Sequence, residues 1–369
     1  MKRRNRLLSL LMVSCLTLCM LVGCGSKKAE PEAETTGTTK TEAADESEVR
    51  EITDMAGRTV EIPVEIDKVF PVSTISAIYI YIMEPDCLLG WNYDLNDLEK
   101  EIILPEYHDL PSFGQGDKIS YEAVIAAGPQ IALSVASDDE ASIDEADTLS
   151  ESLGIPVVIV SDEFGDTAEV YRFLGELFGN EERGEELAAY VDETFEEVTN
   201  KEIPEEEKVT LYYGNGEQSL ETAPAGSMHS EIIDFVNAIN VADVEVEGGS
   251  RIEISGEQLL AWNPDYIIVN GEPKADLDGD AAAEALMANP DFASLTAVQN
   301  ENVYGAPNTP FSWVDRPPGP NRVIGVRWLA GLLYPDYYDY DLREEATEFY
   351  KLFYHMDLTE DQMTNLLGL

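Results

Sequence analysis

The segment NEERGEELAAYVDETFEEVTNK, residues 180–201, decides how the rest of the chain is organised. Its large apolar residues recur at spacings of four, four and three, at Leu187, Val191, Phe195 and Val198. This spacing places them on one face of a helix, and the opposite face is charged. At 1.5 Å per residue such a helix is roughly 30 Å long, enough to cross a domain boundary. We interpret residues 180–202 as a helix that links two lobes; a surface helix within one larger sheet is the alternative.

Short apolar segments with strand character lie on both sides of this helix. The first set comprises residues 68–74, 87–92, 130–136 and 157–161, and the second comprises residues 209–215, 265–271 and 302–308. Helical segments separate them, which indicates parallel α/β sheets, and their continuous apolar runs indicate strands covered on both faces. The sequence therefore predicts two parallel-sheet α/β lobes, residues 51–179 and 203–369, joined by one long interdomain helix, with a ligand cleft between them.

An internal repeat relates the two lobes. The segment ISYEAVIAAGPQIALSV (119–135) aligns without gaps with ISGEQLLAWNPDYIIVN (254–270). Each copy predicts a short helix that begins after a serine N-cap and is followed by a proline before the next strand. Both copies carry a glutamate in the first helical turn, Glu122 and Glu257. Compensation of the helix dipole explains each glutamate by itself, but it does not explain why both lobes carry one at the same place.

With these features the chain resembles the substrate-binding proteins of ABC importers for iron–siderophores, heme and cobalamin. The resemblance covers about residues 51–335 and is carried by the two Ser-x-Glu helices, the 180–202 helix, ITDMAGRTVEIP (52–63) and GSMHSEIIDFVNAINVA (226–242). It implies two α/β lobes hinged by one long helix, with little closure. It also implies that one glutamate per lobe docks on arginines of a dimeric ABC permease, and the matching positions here are Glu122 and Glu257.

The N-terminal residues predict export and lipid anchoring. A basic start is followed by an apolar run, which is the pattern of a signal peptide. The tetrapeptide Leu21-Val22-Gly23-Cys24 resembles a lipobox, so residues 1–23 are expected to be removed and Cys24 to carry lipid. Residues 24–50 hold almost no large apolar side chain and are predicted to form a disordered tether. An ordinary secretory signal with an incidental cysteine, or an uncleaved helix, is the alternative.

The composition excludes several partners. The chain has 73 acidic residues against 23 Lys or Arg residues, a formal net charge of −50. Nucleic acids and anionic lipids require a positive surface, so neither is expected as a ligand, and membrane contact is expected through the lipid anchor only. Outside the signal and the anchor position Cys87 is the one remaining cysteine, and it is expected to be buried without a disulfide partner.

The ligand site is expected where the strands of both lobes end, because ligands of open α/β sheets bind beyond the carboxyl ends of the strands. These ends offer Ser73, Thr74, Trp91 and Asn92 in the first lobe, and Asn215 and Asn270 in the second. Trp91 directly follows a predicted strand end, so we expect it to be a flat platform in the cleft and not a core residue.

The loop NTPFSWVDRPP, residues 308–318, is the most suggestive part of the second lobe. Two prolines stiffen the backbone after Arg316. An arginine on a stiff loop beside Trp313 suits an anionic, partly aromatic or chelated ligand, through paired hydrogen bonds and stacking. A salt bridge from Arg316 to Asp315 is the alternative. Trp313, like Trp91, is expected to be a cleft platform.

His229 stands at the start of a predicted helix and is the one histidine with a context for ligand contact. It could reach a metal or a chelate, although a single histidine also suits a capping or exposed position, since metal sites gather several converging ligands. No protein-bound metal and no cofactor are expected; the bound ligand itself is expected to be a metal chelate.

The motifs favour a binding protein over an enzyme. The chain has no Gly-x-Ser-x-Gly elbow, His-Glu-x-x-His motif, P-loop or dinucleotide fingerprint. Together with the family resemblance, this predicts a lipid-anchored protein on the extracytoplasmic face of the cell membrane. It is expected to capture a metal chelate, above all a ferric siderophore, and deliver it to an ABC permease. Heme, cobalamin and nickel chelates remain open as ligands. An extracellular lipoprotein reductase or hydrolase on the same scaffold is the alternative.

Overall fold

One long helix lies between two β-sheets in this chain, as the sequence predicts. The computed structural model describes residues 48–244, 251–271 and 278–368. The predicted signal peptide, Cys24 and the tether up to residue 47 lie outside the described residues. Strand β1 begins at Val49, so the range predicted for the tether reaches into the folded part at its C-terminal end.

The first lobe consists of an N-terminal hairpin, a parallel sheet and the helices around it. Its strands are β1 (Val49–Thr53), β2 (Thr59–Pro63), β3 (Val69–Pro71), β4 (Ile131–Val135) and β5 (Val157–Val160). Its helices are α1 (Thr74–Met83), α2 (Asp97–Lys100), α3 (Tyr121–Ala127), α4 (Glu140–Leu153) and α5 (Thr167–Phe178). Strands β3, β4 and β5 pair in this order and are all parallel, whereas β1 and β2 form a separate antiparallel pair.

Asp54, at the turn of the hairpin, ties β1 and β2 to the parallel sheet. It accepts hydrogen bonds from the backbone nitrogen of Arg58 at 2.9 Å and from that of Ile159 in β5 at 3.1 Å. The Arg58 guanidinium pairs with the same carboxylate at 2.7 Å. A buried carboxylate is tolerated only with such charged and hydrogen-bonding partners. The Asp-x-x-Gly-Arg part of the family resemblance therefore has a structural role here.

Helix α6 (Glu181–Thr199) is the predicted linking helix. Its predicted apolar stripe is buried: Leu187, Val191, Phe195 and Val198. A Cβ on Gly184 would lie 2.6 Å from the carbonyl oxygen of Tyr171 and 2.9 Å from the Cα of Gly175, both in α5. Only glycine permits this approach, so α5 and α6 are in backbone contact.

The second lobe carries its own sheet. Its strands are β6 (Thr210–Asn215), β7 (Glu221–Thr222), β8 (Ile239–Asn240), β9 (Ile252–Glu253), β10 (Tyr266–Val269) and β11 (Val303–Gly305). The helices that follow α6 are α7 (Glu231–Phe235), α8 (Gly256–Trp262), α9 (Gly279–Ala288), α10 (Thr296–Gln299), α11 (Arg322–Leu333), α12 (Leu342–Tyr354) and α13 (Glu360–Leu367). The strand order is β11-β10-β6-β7-β9, and β8 pairs with the other end of β6.

This second sheet is mainly parallel, as predicted, and contains one antiparallel strand. Strands β11, β10, β6 and β8 are parallel, but β7 is antiparallel to both β6 and β9. The reason is local: β6 and β7 are joined by a short turn, and a short turn between adjacent strands makes them antiparallel.

The prediction of a strand at residues 87–92 is wrong. A 3₁₀ turn at Pro85–Cys87 takes up its first residue, and the remainder makes only isolated parallel bridges, from Leu88 to Val69 of β3 and from Trp91 to Ser112. A Cβ on Gly90 would lie 2.3 Å from the carbonyl oxygen of Pro111, so the chain between these two bridges packs closely on a loop.

Apolar side chains cover both faces of each sheet. Within the described residues, one cluster lies on the outer face of the first sheet with α3 and α4, and another lies on the second sheet with α8, α9 and α10. The largest cluster lies between the sheets and includes residues of α1, α5, α6, α11 and α12. In it Phe353 of α12 contacts Tyr171 of α5 and Tyr190 of α6, with ring centroids 5.7 and 5.4 Å apart.

Helix α12 therefore returns to the first lobe, although it lies far along the chain. The lobe boundaries at residues 179 and 203 stay a prediction; the structure adds that α12 packs on α1, α5 and α6. None of the helices in the described part of the chain is both long and apolar enough to cross a membrane.

Candidate functional site

The edge of the second lobe brings together a histidine and a buried carboxylate that lie 86 positions apart in the sequence. His229 Nδ1 lies 2.7 Å from Asp315 Oδ1, and the Asp315 side chain is fully buried. The Ser312 hydroxyl accepts hydrogen bonds from the backbone nitrogens of Val314 and Asp315, both at 3.2 Å, and so fixes the turn that carries the carboxylate. Because a carboxylate only accepts hydrogen bonds, Nδ1 is the donor of this pair, and Nε2 is the ring nitrogen left for another partner.

Two arginines lie beside this pair. Arg316 Nε is 3.4 Å from Asp315 Oδ2, so the ion pair that the sequence left open as an alternative is present. Burial lowers the pKa of Arg316, Asp315 opposes this shift, and the nearby charge of Arg251 adds to it. Arg251 in turn pairs with Glu221 of β7 at 2.9 Å. The name second-lobe charge cluster is used below for five residues: His229, Arg251, Arg316, Asp315 and Glu221.

Two asparagines end adjacent strands next to this cluster. Asn215 is the last residue of β6 and Asn270 directly follows β10; the backbone nitrogen of Asn270 donates to Gly214 O at 3.0 Å. Both side chains are buried, and among the described residues the Asn215 amide and the Asn270 carbonyl oxygen have no hydrogen-bond partner. Buried amides are seldom left so, because an unpaired polar group costs about 1–3 kcal/mol. The structure thus brings these two predicted residues together, below the surface of the lobe.

The first lobe presents hydroxyls and a carboxylate at its strand ends. Ser73 caps α1, its hydroxyl accepting from the backbone nitrogen of Ser76 at 3.3 Å, and Thr74 is the first residue of that helix. Both are half-buried, as a cleft position requires. Asp162 follows β5; burial raises its pKa, and the neighbouring carboxylates of Asp139 and Asp138 raise it further.

The proline-rich loop, residues 306–321, reaches from the second lobe to helix α1. A Cβ on Gly319 would lie 3.7 Å from Ile78 Cδ1 and 3.9 Å from Ile75 Cγ2. Ile75 directly follows Thr74, so the loop that carries Arg316 lies against the helix that carries Ser73 and Thr74. The two lobes therefore meet around residues that the sequence assigned to the cleft.

The expectation that Trp313 is a cleft platform is corrected by its burial. Its side chain is fully buried, and its indole N–H donates to the Tyr350 hydroxyl at 3.2 Å. Tyr350, on α12, also donates to Thr309 O. Helix α11 passes so close that a Cβ on Gly325 would lie 1.7 Å from Trp313 O. Trp313 therefore anchors the loop from within the core.

Trp91 is corrected in the same way, and Asn92 has a structural role. Trp91 is buried, its indole N–H donates to Tyr107 O at 2.9 Å, and its ring packs 5.7 Å from that of Tyr81. Asn92, also buried, donates to Pro71 O at 3.0 Å and to Gly114 O at 3.3 Å. Both predictions depended on a strand at residues 87–92 whose end would face the cleft, and that strand does not form.

An arginine at the start of α11 links the lobes beside the cleft. Arg322 donates to Glu231 Oε2 at 2.9 Å and to Met228 O at 3.0 Å, and its guanidinium carbon lies 4.2 Å from the ring centroid of Phe164. Phe164 belongs to the first lobe and Glu231 to the second. Burial raises the pKa of Glu231, and the charge of Arg322 opposes this shift. Nothing in the sequence indicates this link.

Both glutamates of the repeat are exposed. Glu122 lies in the first turn of α3 and Glu257 in the first turn of α8. Ser255 caps α8 as predicted, its hydroxyl accepting from the backbone nitrogen of Gln258 at 3.1 Å, whereas Ser120 holds the N-cap position of α3 without a side-chain hydrogen bond.

Sequence reasoning missed Arg251 and the contact between His229 and Asp315. The first had a weak signal, because any arginine stands out in a chain with 73 acidic residues and only 23 Lys or Arg. The second had none, since nothing local connects the two residues. Within the described ranges no group of three or more His, Cys, Asp or Glu side chains is arranged to hold a metal ion by itself.

The sequence matches a known protein family over more than half of its length. The profile of the family described as periplasmic binding protein matches residues 90–310. The ferric enterobactin-binding periplasmic protein FepB of Escherichia coli is 25% identical over 195 residues, which are 50% of this chain and 59% of that protein. The chain thus matches somewhat less than two thirds of this curated relative.

Two solved structures share the fold. An ABC transporter solute binding protein from Sulfurospirillum deleyianum has a TM-score of 0.77 and 26% identity, covering 87% of this chain and 99% of that one. The molybdate periplasmic binding protein MolA of Haemophilus influenzae, bound to molybdate, has a TM-score of 0.64 and 20% identity over 84% of this chain and 99% of that one. These structures confirm the two-lobed α/β architecture predicted from the sequence.

Proposed function

Because this chain belongs to the periplasmic binding protein family, we propose that it is an extracytoplasmic solute-binding protein that captures an anionic metal chelate, above all a ferric siderophore, and hands it to an ABC permease. The observation that carries the proposal is the second-lobe charge cluster. The family is one of transport binding proteins, so membership in it supports a receptor and not the alternative of a reductase or hydrolase.

The charge of the cluster supports an anionic ligand. In a chain of net charge −50, two arginines and a histidine converge on one edge of one sheet. Burying cations near each other costs free energy unless an anion compensates them, and arginine binds planar oxygen pairs through two parallel hydrogen bonds. Asp315 pairs with Arg316 and Glu221 pairs with Arg251, and an anionic ligand would add to this compensation.

The His229–Asp315 pair supports a metal within that ligand. Histidines that bind metals usually donate their other ring N–H to a carboxylate, which orients the ring and makes the free nitrogen more basic. His229 has this arrangement, with Nδ1 held at 2.7 Å by a buried carboxylate. Its Nε2 could fill one coordination position that a chelator leaves open. The E. coli relative is named for binding ferric enterobactin, which agrees with a ferric chelate as cargo.

Ser73 and Thr74 are proposed to complete the site from the first lobe with hydroxyl donors, and Asn215 and Asn270 to line its floor. Membrane attachment through lipid on Cys24, and docking on the permease through Glu122 and Glu257, are part of the same proposal. The exposure of both glutamates supports docking, because a buried carboxylate could not reach a partner.

Native mass spectrometry of the purified protein with a ligand panel tests the proposal. The panel holds a ferric tris-catecholate, a ferric hydroxamate, heme, cobalamin and molybdate. We expect one ferric chelate to bind without turnover. His229→Gln should weaken the binding of this ferric chelate. It should have a smaller effect on binding of the same chelator loaded with a metal that accepts no further ligand. His108→Gln is the matched control, because His108 belongs to the first lobe, where it bonds to Ile103 O at 2.6 Å. Formation of a reaction product, or binding of no panel member, would contradict the proposal.

A further inference from the structure

The two copies of the internal repeat differ in what covers them. In the second lobe, a Cβ on Gly256 would lie 3.1 Å from Cε1 and 3.3 Å from Cζ of Phe292. Phe292, in a 3₁₀ turn at Pro290–Phe292, is itself buried. The aromatic ring of Phe292 therefore packs on the first turn of α8. Leu260, one turn further on, is partly buried against the apolar cluster of the second lobe.

In the first lobe the equivalent positions are apolar and uncovered. Tyr121 aligns with Gly256 and Ile125 with Leu260, and these two side chains are 43% and 52% exposed. Residues four apart on a helix are neighbours, and so are residues three apart, so Tyr121, Ile125 and Glu122 form one continuous patch on α3. Single exposed apolar side chains are ordinary. Here two adjacent ones stand where the other lobe carries a covered face.

The charge of the surroundings limits what can cover this patch. Glu122 within it is exposed, Asp117 and Lys118 shortly before α3 are exposed too, and the whole chain carries a net charge of −50. A second copy of the chain would bring the same carboxylates against these, and like charges at an interface oppose association. A fitting partner offers apolar surface for Tyr121 and Ile125 and a cation for Glu122.

We propose that Tyr121 and Ile125 form an apolar contact with the ABC permease next to Glu122, a contact that the second lobe lacks. The proposal rests on the function proposed above and adds to it that the two docking surfaces are unequal. Exposed ion pairs alone contribute little to affinity, whereas apolar area removed from water contributes in proportion to its size. Docking strength is thus concentrated in the first lobe, and Glu257 serves mainly to orient the second.

Binding of the purified protein to its permease in lipid nanodiscs tests this, at low and at high salt. We expect Tyr121→Ser combined with Ile125→Ser to weaken the Kd about tenfold or more, because both side chains lose apolar burial. The loss should persist in 0.5 M salt, whereas the effect of Glu122→Ala with Glu257→Ala should shrink there by screening. Leu98→Ser is the matched control, since Leu98 is a first-lobe helix residue that is also 52% exposed.

The outcomes separate this proposal from the broader one. Normal docking by the Tyr121/Ile125 variant, with loss in the Glu122/Glu257 variant, would overturn the apolar contact and leave the transport function standing. Failure of the unaltered protein to dock would overturn both. A dimer of the unaltered protein in sedimentation that is lost in the Tyr121/Ile125 variant would assign the patch to a second copy and overturn the permease contact. Unchanged thermal unfolding of the variant checks that its fold is intact.

Discussion

The two sides of the ligand cleft differ in the chemistry they offer. The second lobe contributes charge: a histidine fixed by a buried carboxylate, with two arginines beside it. The first lobe contributes the hydroxyls of Ser73 and Thr74 at the start of a helix, and the carboxylate of Asp162. A ligand at the proposed site would therefore be recognised by its negative charge on the second-lobe side and, on the first-lobe side, by its shape and its hydrogen bonds to the hydroxyls and the Asp162 carboxyl group.

Trp313→Ala gives the largest expected effect, and the effect is on stability. The indole is fully buried and bonded to Tyr350, so its removal leaves a large cavity that should lower the free energy of unfolding by about 3–5 kcal/mol. Urea unfolding followed by circular dichroism measures this, and Trp313→Phe, which keeps most of the ring, should lose much less. If Trp313→Ala kept its stability and lost only ligand affinity, the second lobe would offer a stacking surface as well as charge, and the two lobes would not differ in the way described above.

Arg316→Ala removes one charge from the second lobe and tests whether that lobe contributes more to ligand affinity than the first. We expect ligand affinity to fall by about 1.5–3 kcal/mol, the usual contribution of a hydrogen bond to a charged group. Ser73→Ala, on the first lobe, is the reference and should cost about 0.5–1.5 kcal/mol, the range for a neutral hydrogen bond. Titration calorimetry with the chelate identified from the panel measures both. Equal losses in the two variants, or a larger loss for Ser73→Ala, would break the proposed division between charge and shape.

The smallest expected effect is on the pH dependence of stability and concerns His355, a buried histidine outside the proposed ligand site. His355 Nε2 lies 3.2 Å from Tyr81 O on the first lobe, and burial lowers the pKa of this imidazole. A depressed pKa means that its contribution to stability is complete above the ordinary value of about 6.5 and is lost as pH falls through the folded-state pKa. Unfolding at pH 8 to 5 should therefore show a falling stability that His355→Asn removes in part. Asparagine tolerates the positive φ of 59° at this position. If the free energy of unfolding falls equally with pH in the unaltered protein and in His355→Asn, the acid sensitivity arises from another group.

Periodic signals were read correctly from the sequence, and contacts between distant segments were not. The stripe from Leu187 to Val198 predicted α6 closely because a helix face is a local property. The strand cores at 131–135, 157–160 and 266–269 were found because continuous apolar runs mark strands covered on both faces.

The errors share one cause. Residues 87–92 are as apolar as a strand, but they form only isolated bridges, at Leu88 and Trp91, and Gly90 packs closely on Pro111, which lies elsewhere in the chain. Trp91 and Trp313 were assigned to the cleft from their places after strand ends, yet whether such a side chain turns inward depends on partners such as Tyr107 and Tyr350, which lie elsewhere in the chain. The pairing of His229 with Asp315 could not be predicted for the same reason, since the two residues lie 86 positions apart in the sequence.

The anchoring of the proline-rich loop by Tyr350 has a consequence for the order in which the protein matures. Tyr350 bonds to Trp313 and to Thr309, and it sits on α12, which packs against α1, α5 and α6. A chain that emerges with its N-terminus first can complete the first-lobe sheet while residues 306–321 still lack this anchor, since domains generally form in the order of synthesis. At the proposed site, the loop that carries Arg316 is then held in place only after α12 has emerged, so we expect a partly synthesised chain to bind ligand less tightly than the folded protein.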